Sequence, residues 1–410
     1  MSEFFDKNET RDTAEREADL FSKLPNFLAD AVAKAPGWKA FLDGNDPAAV
    51  TDRAALAKLP VLRKPQLMEA QKASPPFGGF VAAAPGAYGR VFMSPGPIWE
   101  PQGAGPDPWN GARALYAAGF RAGDVVHNAF AYHLTPGGFI LDVGAQSLGC
   151  AVFPAGVGNT EAQLEAISVL KPSGYTGTPD YLKVLLDKAD EAGTDASSIV
   201  RGLVSGGALF PSLRAEYEDR GVAVQQCYAT ADIGVIAYES AAREGLIVNE
   251  DIIVEIVRPG TSEPVAEGEV GEVVVTVFNP VYPLIRFGTG DLSAVLPGAS
   301  PCGRTNMRIK GWMGRADQRT KVKGMFVDPV HIDQIVKRHD EIVRARLVVT
   351  RKDEQDQMTL QVECVSDDAA LGEAIAATLR DVTKLKGLVT MVEPGNLPND
   401  GKVVSDERDY

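Results

Sequence analysis

The sequence predicts an α/β protein: a large lobe of mostly parallel sheet and helices with a small antiparallel subdomain, then a small α+β C-terminal lobe. Three observations carry this. Helical and strand-like segments alternate from Trp109 to Gly207, the pattern of a parallel sheet with crossover helices. From Ile247 the pattern turns to Val- and Ile-rich alternation broken by Pro259-Gly260, Gly268 and Gly271, which reads as antiparallel strands. After Gly314 a basic stretch leads into amphipathic strands and one helix, enough for a lobe of its own in a chain of 410 residues.

The elements follow in order. Leu20, Leu24, Leu28, Val32 and Phe41 recur at near-helical spacing, and a shorter helical pattern covers 52–59, so residues 1–75 read as a helical preamble to the large lobe. Short β-like runs at Phe80-Val81 and Arg90-Val91-Phe92 precede the cluster Ser94-Pro-Gly-Pro-Ile-Trp-Glu-Pro101, which reads as a shaped loop. Helices are then expected near 109–119, 139–148, 160–170 and 181–192, with strands at 124–130, 150–154, 174–178 and 202–205. Strands at 252–257, 272–278 and 284–287 form the antiparallel part, and 343–350, 358–365 and a helix over 369–384 form the last lobe. Domain boundaries are expected at 76–314 for the large lobe, 315–317 for a hinge and 318–410 for the small lobe.

Composition narrows the partners. Charged residues make up 23% and the formal charge is -14, which argues against nucleic acid, whose binding draws on clustered Lys and Arg. Cys150, Cys227, Cys302 and Cys364 are scattered singly, so neither a metal ligand pair nor a disulfide framework is read from them. No apolar run approaches the ~20 residues of a membrane span, and the N-terminus lacks a signal-peptide core, so a cytoplasmic protein without a membrane span is expected.

Three motifs carry chemistry. Tyr282-Pro-Leu-Ile-Arg-Phe-Gly-Thr-Gly-Asp291 is followed by Lys310-Gly-Trp-Met-Gly-Arg315-Ala-Asp317. A carboxylate such as Asp291 can accept both hydroxyls of a ribose, although an Asp after Gly also caps ordinary turns. Val204-Ser-Gly-Gly207-Ala208 is followed by Tyr228-Ala229-Thr230-Ala231-Asp232, and the chain nears its end with Gly401-Lys402. Together these resemble the phenylacetate-CoA ligase branch of the adenylate-forming (acyl-CoA synthetase) superfamily, over nearly the whole chain.

The resemblance implies the adenylate-forming enzyme fold with a mobile C-terminal lobe, and a two-step reaction. A carboxylic acid, aryl or arylacetic, is activated with ATP and Mg2+ to an acyl-adenylate and then passed to coenzyme A. It assigns Lys402 and Asp232 to catalysis, with Asp232 the Mg2+ ligand; the family's Tyr-Gly-x-Thr-Glu reads Tyr-Ala-Thr-Ala-Asp here. Ser94, Gly96, Gly207, Ala208, Tyr228, Ala229, Thr230, Asp291 and Arg315 take the nucleotide. Tyr132, His133, Gly137 and Ile233 line the acid pocket. Asp317 is the hinge, and Lys323 and Gly324 receive coenzyme A, a segment that equally suits a basic hairpin on a solvated lobe. A homodimer through the large lobe is a further implication.

One place departs from the family. Its phosphate loop is rich in Ser, Thr and Gly and ends near a Lys, whereas here Pro95, Pro97 and Pro101 lack N–H donors and Glu100 brings negative charge. The loop works through Ser94 and Gly96, or it serves another donor, or adenylation has been lost; the first is favoured because Asp291, Arg315 and Lys402 occur together. Two alternatives to the ligase stand: a non-catalytic nucleotide- or acyl-CoA-binding protein, and an adenylating enzyme with a different acceptor.

Overall fold

The structure is a computed structural model and describes residues 3–316, 318–322, 325–352, 355–364 and 368–408, so Asp317, Lys323 and Gly324 lie outside the described residues. The chain divides into two compact units. One comprises Met1–Val254, Val275–Phe287 and Leu296–Gly311; the other Glu255–Val274, Gly288–Val295 and Trp312–Tyr410. The expected division at 314/315 is simpler than this one, because 255–274 and 288–295 group with the C-terminal residues.

The first unit opens with helix α1 (Thr13–Lys34), capped by Asp12, whose side chain accepts from the Ala14 N–H at 2.8 Å. Its apolar stripe of Leu20, Leu24 and Leu28 is buried, as the spacing predicts. Two buried ion pairs fix this N-terminal segment. Arg16 Nε meets Glu250 at 2.9 Å and Arg304 Nε meets Glu9 at 3.0 Å, with all four side chains at most 4% exposed. Breaking either pair would strand a buried charge, at a typical cost of about 3–5 kcal/mol. Helix α2 (Lys64–Ala73) has Pro65 in its first turn, and the Arg63 N–H donates to Gln66 Oε1 at 3.0 Å.

A hairpin of β1 (Val91–Ser94) and β2 (Ile98–Pro101) follows, with Ser94 opposite Ile98. Then come α3 (Gly111–Ala117), β3 (Val125–Asn128), α4 (Gly137–Ser147), β4 (Ala151–Phe153), α5 (Thr160–Leu170), β5 (Gly174–Gly177), α6 (Pro179–Ala192), β6 (Arg201–Val204), α7 (Pro211–Asp219) and β7 (Ala223–Thr230). The order β4-β3-β5-β6-β7 is parallel throughout, as predicted. The sheet is extended antiparallel by β8 (Gly234–Tyr238) and β9 (Leu246–Val248), then by Arg308–Ile309 and Val295–Leu296, to nine strands. The middle strand of the parallel portion, β5, is buried along its length. Gly174 admits the Phe120 ring, which a Cβ would meet at 2.2 Å.

Strands β10 (Ile252–Val257), β11 (Gly271–Val277) and β12 (Leu284–Ser293) form a second sheet with Leu62–Arg63, in the order Leu62–Arg63, β12, β11, β10. Sequence reading stops the last strand at 287, before the glycines; the structure continues it to Ser293, with Gly290 at φ 76°.

In the second unit, β13 (Thr320–Val322) and β14 (Met325–Val327) make a hairpin, and α8 (Pro329–Val336) follows. Strands β15 (Ile342–Lys352) and β16 (Gln355–Cys364) pair antiparallel. After α9 (Ala369–Thr383), β17 (Leu388–Val392) and β18 (Val404–Asp406) add in parallel on opposite edges. Ile332 and Ile335 of α8 and Ile375 and Leu379 of α9 bury against Leu347, Val349, Leu360 and Val362 of the sheet. That is a separate apolar core, which is what lets this lobe stand as a folding element.

Candidate active site

In the first unit the parallel strands end at one cavity of about 570 Å³, the place where such sheets bind ligands. Phe130, Ile140, Leu141, Cys227 and Ala229 make its apolar wall, and Thr135, Ser205 and Thr230 bring hydroxyls. Gly137, Ala229 and Thr230, all expected at the site, line it; Tyr132, His133 and Ile233 do not. The Tyr132 hydroxyl is held by Asn128 Nδ2 and donates to Asp142 Oδ2, both at 2.7 Å, which makes it framework rather than lining. His133 is exposed, and Ile233 is 3% exposed with its N–H on Thr230 Oγ1 at 3.3 Å. The Cys227 thiol is pushed up to about 12 by burial, so it enters the wall as a neutral group. Gly207 and Ala208 sit in the exposed loop after β6, and Tyr228 is a buried residue of β7.

Just past the cavity's Ala231, at the turn between β7 and β8, the Asp232 carboxylate is fully buried. Its Oδ2 pairs with Lys64 Nζ at 2.7 Å, from the first residue of α2. Lys64 is the residue that sequence reasoning missed; 168 positions separate it from Asp232. Asp232 Oδ1, both oxygens of Glu100 and the Tyr282 hydroxyl are buried without a hydrogen-bond partner among the described residues. Burial pushes the Glu100 carboxyl well above the usual carboxylate range, and the Asp232 charge adds to this, against weaker pulls from Ser94 and Lys64. The same two carboxylates, after burial itself, raise Tyr282. Burial therefore favours the protonated form of Glu100.

The segment read as a phosphate loop is the β1–β2 hairpin. Trp99 donates its N–H to Gln71 Oε1 at 2.8 Å, Gln71 Nε2 returns to the Trp99 carbonyl at 2.6 Å, and the Met93 N–H goes to the Leu134 carbonyl at 2.9 Å. Ser94 is 4% exposed, with its hydroxyl directed at the Ile98 carbonyl 3.5 Å away. With three prolines lacking N–H groups, this hairpin presents no row of backbone donors. Ser94 and Gly96, expected at the phosphates, lie in the buried strand pair and at its tip.

In the second unit, Asp291 Oδ1 accepts from Arg315 Nη1 at 3.0 Å and from Trp312 Nε1 at 3.1 Å. Paired backbone bonds join β12 to 313–316: Leu292 N to Gly314 O at 2.8 Å, Met313 N to Leu292 O at 2.9 Å, and Ala316 N to Gly290 O at 2.7 Å. The fold brings these two motif residues, 24 positions apart, into contact. Gly290 is required by its φ, and a Cβ there would lie 2.8 Å from Arg315 Nη2, which would have to shift. The Lys402 loop is equally fixed. Gln318 Nε2 donates to Gly401 O at 2.7 Å, its Oε1 accepts from Val403 N at 2.6 Å, and Asp400 is clamped by Arg346 at 2.7 Å. The loop is held while the Lys402 side chain stays exposed and makes no ion pair among the described residues.

Sequence comparison decides the family. Residues 144–277 match the AMP-binding enzyme family and 324–408 the AMP-binding enzyme C-terminal domain. Phenylacetate-coenzyme A ligase of Thermus thermophilus is 30% identical, over 92% of each chain. The chain belongs to the phenylacetate-coenzyme A ligase family of AMP-binding enzymes. The Aromatoleum evansii enzyme of the same name is 30% identical over 87% of this family member and 85% of its own length. Among solved structures, a 2-hydroxyisobutyryl-CoA ligase in complex with 2-HIB-AMP in the postadenylation state is 25% identical. It aligns with a TM-score of 0.72 over 99% of this chain and 93% of its own. The same ligase with 2-HIB-AMP and CoA in its thioester-forming state gives 0.71, covering 100% and 93%.

Proposed function

We propose that this protein activates a monocarboxylic acid with ATP to an acyl-adenylate and pyrophosphate, then transfers the acyl group to coenzyme A with release of AMP. The observation that supports this best is the succession of residues at the end of β7. Ala229, Thr230 and Ala231 line the apolar cavity, and the next residue, Asp232, carries a buried carboxylate with one oxygen on the Lys64 ammonium and the other without a partner among the described residues. An acid whose apolar body fills the cavity would direct its carboxylate to that charged end. The lining carries no ionisable side chain other than the neutral Cys227 thiol, so a second charge on the substrate would go unmatched. Aryl and arylacetic acids fit this description.

The acid's carboxylate attacks the α-phosphorus, one P–O bond forms, and the bond to pyrophosphate breaks. Lys402 supplies the ammonium that stabilises charge building on the α-phosphate, and Lys64 supplies positive charge that the hairpin does not. Asp291 and Arg315 hold the nucleotide. The orphaned oxygen of Asp232 fits magnesium, a hard cation taking oxygen ligands; when bound, it neutralises phosphate charge. In the second step the coenzyme A thiolate attacks the acyl carbon and AMP leaves. Asp317 acts as the hinge before this step, and Lys323 and Gly324 receive coenzyme A.

Pyrophosphate release over a panel of aryl and short-chain acids, with and without coenzyme A, tests the reading. Acid-dependent release with acyl-CoA formation is expected. AMP binding with no release for any acid would replace the enzyme with a binding module, and full turnover without coenzyme A would point to another acceptor.

A further inference from the structure

The second unit holds a cavity of about 560 Å³, open to solvent, that neither the nucleotide motif nor the acid site uses. Three cationic side chains line it: Arg258, Arg344 and Lys402. In a chain of net charge -14, where most arginines find carboxylates, none of these three forms an ion pair among the described residues. Among the described residues the Arg258 Nε is buried without a partner, and Arg344 reaches only the Leu397 carbonyl, at 3.3 Å, and that of Pro398. Of the two carboxylates on the lining, Asp333 is neutralised by Lys337 at 2.9 Å, which leaves Glu269 alone against three positive charges.

Unpaired guanidinium groups converging on one cavity are suited to oxyanions, which they bind through charge-assisted hydrogen bonds. We propose that this cavity is a binding site for a small phosphoanion of the inorganic pyrophosphate class, with Lys402 as its third cationic wall. Its apolar floor, including Pro259, Pro329 and Ile332, excludes water from one side and strengthens the contacts. An anion seated there pairs with the Lys402 ammonium and withdraws it from the acyl phosphate, so the occupied site opposes adenylation and not thioester formation. This consequence rests on the role given to Lys402 above.

The test is calorimetric titration of pyrophosphate, and separately of orthophosphate, into the full chain without acid, ATP or divalent cation. The site predicts binding that weakens about tenfold, the effect of one charge-assisted contact, in Arg258→Gln and in Arg344→Gln, with AMP binding retained as the check on folding. It also predicts tighter binding in Glu269→Gln, a gain that misfolding cannot mimic. Tighter binding of pyrophosphate than of orthophosphate supports the polyanion; the reverse order overturns it. Unchanged affinity in Glu269→Gln and in both arginine variants, or no binding of either anion, overturns the site. A chain that binds pyrophosphate in this pattern but never forms adenylate keeps the site and contradicts only the function proposed above.

Discussion

Glu100 concentrates what was and was not visible at the residue scale. The sequence shows an acid in the proline-rich segment, but not that β2 turns the side chain inward among Asp232 and Tyr282. A buried carboxyl whose native value is raised stays protonated while the unfolded chain ionises it above about pH 4.5, so it lowers stability as pH rises through that range. Glu100→Gln keeps the neutral shape and removes that loss. Its melting temperature should match the wild type near pH 4 and exceed it at pH 8, by roughly 2–4 °C for each kcal/mol regained. A difference independent of pH would contradict the raised value of the Glu100 carboxyl. Lys64 was illegible for another reason: nothing local distinguishes a lysine opening a helix from any surface lysine, and only the fold brings it to Asp232.

At the scale of elements, the parallel strands and their crossover helices were legible because short strand-like runs alternate with helical spacing and Gly or Pro punctuates them. The helix over 160–170 and the strand over 252–257 match residue for residue. Helices α2 and α7 went unread because their composition is largely polar, and their stops are set by packing. The β1–β2 hairpin was read as a loop because prolines mask strand character; its pairing is fixed from outside by Gln71. The glycines before Asp291 suggested a turn, whereas β12 runs through them. Gly290→Ala tests that arrangement. Alanine at this φ is strained by about 1–2 kcal/mol, and its Cβ would push the Arg315 guanidinium from Asp291. AMP affinity should fall about tenfold, measured by titration, beyond any loss of thermal stability. Unchanged affinity would remove this pair from the nucleotide site.

For the whole molecule, the two-lobe plan was readable from the change in composition after Gly314, and the separate core of the last lobe bears out its α+β character. The division by packing is finer than sequence could resolve, because β10, β11 and β12 each cross it and a strand shows no seam in its own residues. The two-step scheme makes Asp317 a separable element. Asp317→Pro should leave adenylate formation within about twofold and reduce thioester formation at least a hundredfold, and equal loss of both steps would contradict a hinge there.

This chain is expected to form an acyl-adenylate although Pro95, Pro97 and Pro101 leave its hairpin without N–H donors at three positions. Acid-dependent exchange of labelled pyrophosphate into ATP measures that step alone, without coenzyme A. Exchange is expected in the wild type with an aryl or arylacetic acid. A drop of about 10²–10³ is expected in Lys402→Ala with AMP binding intact. No exchange with any acid, or an unchanged rate in Lys402→Ala, would contradict it.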